Sequence, residues 1–282
     1  MAHIKEQVVL ITGCSSGIGR ALALQMAEKG HMVCASARKL ASIQDLESDK
    51  ISIYRLDVTD SASVTEAVND IMAKHSRIDM LINNAGFGLI GPMAEIPLDK
   101  LRLQFETNVM GPVALIQAVV PHMAQRKSGR IVNMGSVSGI TATPYAGPYC
   151  SSKAALHLLS DALRMELAPF GIEVIQLQPG GISSKFGETA DATIDETYDR
   201  ESSLYRKGVL GMKRRARMSQ GSPTSVEEFA AGAIEAITRQ NPPAVFRSGH
   251  GSFLLPFMKR NLPDGRIDKI MSKRFLLDDL KD

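Results

Sequence analysis

The chain has 282 residues, 44% hydrophobic and 22% charged, a composition that can bury a sizeable core and calls for a single domain over 1–282. A formal net charge of +3, carried by dispersed basic residues, excludes a strongly basic nucleic-acid binder. Cys14, Cys34 and Cys150 lack metal-ligand spacing, no apolar run is long enough to span a bilayer, and the amino terminus lacks the apolar stretch of a signal peptide. No metal and no transmembrane segment are therefore expected, and a reduced, cytoplasmic setting is.

In chain order, Val8 to Ile11 is a continuous apolar run, the pattern of a strand buried on both faces. It leads into Thr12-Gly13-Cys14-Ser15-Ser16-Gly17-Ile18-Gly19, and Arg20 to Lys29 then reads as a helix. Strand, glycine-rich turn and helix in that order form a phosphate cradle, because glycines let the backbone approach a pyrophosphate at a helix N-terminus. The spacing is G-x-x-x-G-x-G, and an ordinary tight turn is the competing reading. Further strands are expected at Met32 to Ser36, Ile51 to Leu56, Met80 to Asn83, Ile131 to Asn133 and Val174 to Leu177, with a last one at Ala244 to Arg247. Helical patterns fill the gaps, among them Ser61 to Lys74 behind an Asp60 cap and Asp99 to Met123, interrupted at Gly111-Pro112. Repeated β-α units predict an α/β fold of the Rossmann type, a doubly wound parallel sheet flanked by helices on both faces, with its ligand beyond the C-terminal strand ends.

Gly147-Pro148 opens a further helix in which Tyr149 and Lys153 are four apart, one above the other on the same face. Ala154, Ala155, Leu156, Leu158, Leu159, Ala162 and Leu163 supply its apolar stripe. A cation about 4 Å from a phenol contributes roughly 4 kcal/mol at intermediate effective dielectric, which lowers the phenol's value by about 3 units. Such a tyrosine works as a general acid or base at neutral pH. A surface helix with an incidental Tyr and Lys is the alternative on spacing alone.

Taken together, these motifs resemble the short-chain dehydrogenase/reductase family over roughly residues 4 to 184. Thr12, Gly13, Gly17 and Gly19 fit its cofactor turn, Asn83-Asn84-Ala85-Gly86 its N-N-A-G segment, and Ser136, Tyr149 and Lys153 its catalytic triplet, with Asn108 at a fourth catalytic position. Pro179-Gly180 fits the P-G after the sixth strand, with Ile182 and Ser184 at nicotinamide-contacting positions; Ser184 replaces the usual Thr and keeps the hydroxyl. The resemblance implies that Ser136 orients a substrate carbonyl, Tyr149 protonates the developing alkoxide, Lys153 lowers the phenol's pKa and holds the nicotinamide ribose, and Asn108 anchors a water linking Lys153 to solvent. It also implies cofactor contacts for Ser15, Ser16, Ile18, Asp57, Val58, Asn84, Ala85 and Gly86, with Asp57 at the adenine amine. Ser138 and Tyr145 lie close in sequence to this set but lack a Lys four residues on.

Cofactor choice is expected at the end of the second strand, where a carboxylate accepts bonds from the adenosine ribose and repels a 2′-phosphate. Ala37 stands there, followed by Arg38 and Lys39, so NADP is preferred over NAD, NADPH being the reductant. Residues 185–222 lack a clean period and read as a mobile substrate lid carrying the cluster Lys207, Lys213, Arg214, Arg215 and Arg217. That cluster suits an anionic, lipid-like substrate, a solvated face or acidic lipid headgroups. Ser225 to Glu228 forms a capping box for a helix to about Arg239, and residues 250–282 form a C-terminal extension whose apolar segment Phe253 to Met258 is expected to join the core. The C-terminal half is similar to a branch of acyl-dihydroxyacetone-phosphate reductases and 17β-hydroxysteroid dehydrogenases, which implies a hydrophobic ketone. A homodimer or homotetramer is expected, with peripheral membrane contact as a further option and no nucleic-acid partner. Two alternatives stay open: a non-catalytic NADP sensor on the same fold and a nucleotide-sugar epimerase-like enzyme.

Overall fold

The apolar runs form seven parallel strands, β1 (Val8–Thr12), β2 (Met32–Ala37), β3 (Ile51–Arg55), β4 (Met80–Asn83), β5 (Gly129–Met134), β6 (Ile172–Pro179) and β7 (Val245–Ser248), hydrogen-bonded in the order β3-β2-β1-β4-β5-β6-β7. The computed structural model describes residues 6–199 and 201–281. Register is fixed by pairs such as Leu10 with Cys34 and Leu10 with Leu81, so β1 is central and the order reverses between β1 and β4. Alternate residues of β1 feed two cores: Val9 and Ile11 pack on one face, Val8 and Leu10 on the other. This double burial explains why the strands are continuous apolar runs.

One face is covered by α1 (Gly17–Glu28) and the other by α2 (Ser61–His75), whose N-cap Asp60 accepts from the N–H of Ala62. The long helical segment contains α3 (Leu98–Phe105) and α4 (Gly111–Gln125), and its irregularity lies elsewhere than expected. Gly111-Pro112 opens α4, while Glu106–Met110 is a π-helical turn in which the N–H of Gly111 donates to Glu106, five residues back. Phe105, Met110 and Gly111 keep right-handed helical dihedrals, so the helix runs on through Pro112, whose missing N–H falls just after the π turn.

The next helix is α5 (Gly147–Leu167), and only part of the expected apolar stripe is buried: Leu156 is, while Leu158 and Leu159 are exposed. Tyr149, Ser152, Lys153, Leu156, His157 and Ser160 face inward, whereas Leu158 is 73% exposed. The inward face is polar where it meets polar residues of the sheet: the Asn133 amide donates to the Ser160 hydroxyl and the Gln176 amide to the His157 carbonyl.

The segment expected to be an irregular lid is helical: α6 (Phe186–Ala192), α7 (Ile194–Thr197) and α8 (Val209–Ala216). After α9 (Val226–Thr238), capped by the Ser225 hydroxyl on the N–H of Glu228, come α10 (Leu254–Asn261) and α11 (Asp264–Arg274). A third core joins Ile194 and Met212 to Leu255, Met271 and Phe275, so the C-terminal helices brace the lid. Phe253, Leu254 and Phe257 do not join it; all three are more than half exposed, while Leu255 is inserted and Met258 packs against it half-buried. Complete burial of a side chain such as Phe229 or Phe275 stabilises the fold by about 1.5–3 kcal/mol. No helix among the described residues is long and apolar enough to cross a membrane, and Cys14, Cys34 and Cys150 are buried free thiols.

Candidate active site

The reversal between β1 and β4 places two loops side by side at the C-terminal edge of the sheet, the place where a doubly wound fold holds its ligand. Thr12 locks them together: its hydroxyl accepts from the N–H groups of Asn84 and Ala85, both at 3.0 Å, while the Asn84 amide donates to the carbonyls of Thr12 and Gly13. Gly13 has φ +73°, and a side chain there would meet the Ala85 backbone at 2.9 Å; one on Gly19 would meet the Asn84 amide at 2.3 Å and the Gly13 carbonyl at 2.4 Å. Glycine is therefore required for the two loops to close on one another. Ser15 and Ser16 project from the turn into solvent, while Gly17 and Ile18 open α1 and are half-buried.

Pro179-Gly180 ends β6, and the chain then crosses toward this turn. Ile182 is buried and bridges to Thr224, and a Cβ on Gly17 would lie 3.4 Å from that of Ser184. At the end of β2, Ala37 is buried, while Arg38 and Lys39 are exposed and make no ion pair with any described residue. Asp57 follows β3, its carboxylate held by the N–H and hydroxyl of Thr59, and Val58 beside it is buried. These groups together form a glycine cradle with an exposed cation where an adenosine phosphate would lie, which fits a nicotinamide dinucleotide.

Ser136, Tyr149, Lys153 and Asn108 converge beside the cradle, and all four are buried. The N–H of Ser138 donates to the Ser136 hydroxyl, and the Ser136 N–H donates to Nε2 of His157 at 3.3 Å. His157 was not among the residues expected from the sequence, although it is four residues beyond Lys153 and shares the inward face of α5. The π turn brings Asn108 inward. Its amide is engaged with the Phe87 N–H and carbonyl and with the Ser152 hydroxyl, and a Cβ on Gly86 would lie 2.9 Å from Asn108 Oδ1 and 3.7 Å from Lys153 Nζ.

The electrostatics depart from the expectation. Lys153 Nζ donates to the Met134 carbonyl at 2.7 Å and lies 5.9 Å from the Tyr149 ring centroid. Burial pushes the Tyr149 phenol up, and the Ser136 hydroxyl and then the Arg215 charge draw it back. Lys153 itself is pushed down to about 8 by burial. Burial also pushes His157 down to about 4, with the Lys153 charge acting in the same direction, so its imidazole is neutral. Phe186, at the start of α6, lies over the Tyr149 ring with centroids 5.3 Å apart. Tyr145 is separate: its ring packs edge-on to Tyr205 and burial pushes its phenol up to about 12.

The basic cluster is also divided. Arg214 and Arg217 are exposed, donating to the Arg274 carbonyl and to Asp191, and Lys207 is exposed, whereas Arg215 is only 5% exposed.

This sheet order, glycine cradle and buried Ser, Tyr and Lys set define an oxidoreductase of the nicotinamide-dependent, Rossmann type. The chain belongs to the short chain dehydrogenase family, whose model matches residues 7–195. It is similar to the 3-ketodihydrosphingosine reductase of Bacteroides thetaiotaomicron, 32% identical over 264 residues that cover 93% of this chain and 95% of that protein. It is also similar to human 17-beta-hydroxysteroid dehydrogenase type 1, 31% identical over 91% of this chain and 81% of that one. Among solved structures, a short-chain dehydrogenase from Streptomyces avermitilis covers 98% of both chains at 29% identity with a TM-score of 0.78.

Proposed function

We propose that this protein is an NADP(H)-dependent reductase of hydrophobic ketones. The observation that carries the reading is the convergence of Ser136, Tyr149, Lys153 and Asn108 at the C-terminal edge of the sheet, next to the glycine cradle. The backbone of residues 12–19 and Asn84 to Gly86 holds the cofactor, with Ile182 and Ser184 on its other side and Asp57 and Val58 toward the adenine. When bound, the nicotinamide supplies or accepts the hydride.

Ser136 donates its hydroxyl hydrogen to the substrate carbonyl oxygen, while its own oxygen is held by the Ser138 N–H and its backbone by His157. Tyr149 gives its phenolic proton to the alkoxide oxygen that develops at the same position. A buried phenol is a reluctant anion, so the resulting tyrosinate needs cationic support. In the structure Arg215 acts on it, and Lys153, held by the Met134 carbonyl, is a few ångströms from its ring. Asn108 and the Gly86 backbone border Lys153 Nζ and form the start of its route for proton resupply.

Preference for NADP rests on Arg38, whose unpaired guanidinium can grip a 2′-phosphate beside the buried Ala37. One such charge-assisted bond is worth about 1.5–3 kcal/mol, roughly a tenfold to hundredfold preference. The lipophilic character of the substrate is supported by the 3-ketodihydrosphingosine and the hydroxysteroid in the names of two relatives. The test is consumption of NADPH and of NADH with a panel of long-chain and polycyclic ketones. Reduction of members of the panel, faster with NADPH, supports the reading; tight NADPH binding with no turnover on any member would favour a cofactor sensor.

A further inference from the structure

Arg215 is buried without an anion. Its side chain enters from α8, Nε donates to the Thr143 hydroxyl, and Nη2 donates to the Ser138 hydroxyl at 3.4 Å. No carboxylate lies within ion-pair distance of it among the described residues, whereas the comparably enclosed Arg130 meets Glu173. Two neutral hydroxyls are weak compensation for withdrawing a guanidinium from water, and a buried cation of this kind is normally paired. Those two bonds use two of the five N–H donors of the guanidinium. Nη1 makes no hydrogen bond to the protein and is absent from the fully enclosed, unpartnered polar atoms, so it retains contact with open space.

Its location gives this charge a use. Ser138, which Arg215 contacts, donates its N–H to the Ser136 hydroxyl, and the arginine's charge reaches the Tyr149 phenol. The guanidinium thus stands one residue contact away from the pair that is read as holding the substrate carbonyl. The other cations of the cluster are not equivalent: Arg214 covers the end of α11 and Arg217 is paired with Asp191, both at the surface.

We propose that Arg215 is a substrate-specificity residue that binds an oxyanion, a carboxylate or a phosphate ester, carried within a few bonds of the ketone of an otherwise apolar substrate. This rests on the ketone-reductase reading of the same site. The arginine supplies forked N–H donors that suit either anion.

The experiment compares steady-state reduction of a γ-keto octanoate with its methyl ester, and of 2-oxooctyl phosphate with methyl hexyl ketone, by the full-length wild type, Arg215→Met, Arg215→Lys and Arg214→Met. The wild type should favour each anionic substrate in kcat/KM by about tenfold to hundredfold, the ratio expected of one or two charge-assisted bonds. Arg215→Met should bring the ratio to within about threefold of unity, Arg215→Lys should keep part of it, and Arg214→Met should leave it unchanged. Preference for only one anion identifies which of the two chemistries the site takes. A change confined to Tyr149 acidity lowers both members of a pair together, so equal losses in Arg215→Met would overturn the proposal. So would a wild type that shows no preference for the charged member of either pair, a result that needs no variant to fold. Failure of every ketone with wild-type protein sinks the reductase reading itself, and is distinct from turnover without charge preference, which sinks only the Arg215 site.

Discussion

The imidazole of His157 accepts a hydrogen bond from the backbone N–H of Ser136, with 3.3 Å between Nε2 and N. An accepting Nε2 places the proton of the neutral ring on Nδ1, and the bond fixes the residue whose hydroxyl faces Tyr149. Its effect on catalysis is through Ser136, so His157 is a positioning residue. Replacement by Leu should lower kcat by about tenfold to hundredfold with a smaller change in KM, since misplacement of an orienting group costs rate. His157→Gln, which retains an acceptor, should recover part of the loss. Equal kcat values for wild type and His157→Leu would remove this role.

The same residue makes a pH prediction. Burial lowers His157 from 6.5 to about 4, so the unfolded chain binds its proton first as pH falls. Its contribution is fully present above pH 6.5 and is lost as pH drops toward 4. At about 1.4 kcal/mol per unit the loss is roughly 3–4 kcal/mol. Urea unfolding across that interval should show a shallower decline for His157→Leu than for wild type; parallel declines would assign the acid sensitivity to other groups.

In the proposed mechanism Lys153 gives up stability for function. Its amine is lowered from 10.5 to about 8 by burial, so at neutral pH the fold carries a charged, desolvated ammonium held by one carbonyl. The folded value is depressed, so this group's contribution to stability is present above 10.5 and is lost as pH falls through about 8. Lys153→Met should therefore be more stable than wild type at pH about 7, by about 3–4 kcal/mol, while losing most turnover. The stability difference should shrink as pH rises from 8 toward 10.5. A variant less stable than wild type at neutral pH would show that the bond to Met134 outweighs the desolvation.

Cofactor choice is tested by Ala37→Asp combined with Arg38→Ile. The carboxylate accepts from the ribose hydroxyls and repels a 2′-phosphate, and removing the guanidinium deletes the grip. The ratio of kcat/KM for NADPH to that for NADH should fall by about a hundredfold or more. An unchanged ratio would place the preference at another residue.

The sheet was legible because its strands are buried on both faces, so that Val8 to Ile11 or Met80 to Asn83 announce themselves as unbroken apolar runs. The cradle was legible because close loop packing leaves no room for side chains at Gly13 and Gly19. Three features were not. The π turn around Asn108 keeps right-handed helical dihedrals, and one extra residue per turn leaves no trace in an apolar pattern. Leu158 and Phe253 are apolar yet exposed, so counting apolar residues misassigned one helix face and the start of another helix. Arg215 differs from Arg214 only by the phase of a short helix, and that phase is set by packing against residues 137–143, distant in sequence.

The central claim is that Tyr149 is the proton donor, and Tyr149→Phe tests it most directly because it deletes the hydroxyl and keeps the ring that packs on Phe186. NADPH affinity of the variant, read by fluorescence titration, should stay within about threefold of wild type, while kcat for a ketone that wild type reduces should fall by about 100-fold to 10,000-fold, the range of general-acid catalysis. A folded Tyr149→Phe protein that binds NADPH and reduces the same ketone at near-wild-type rate would contradict the account.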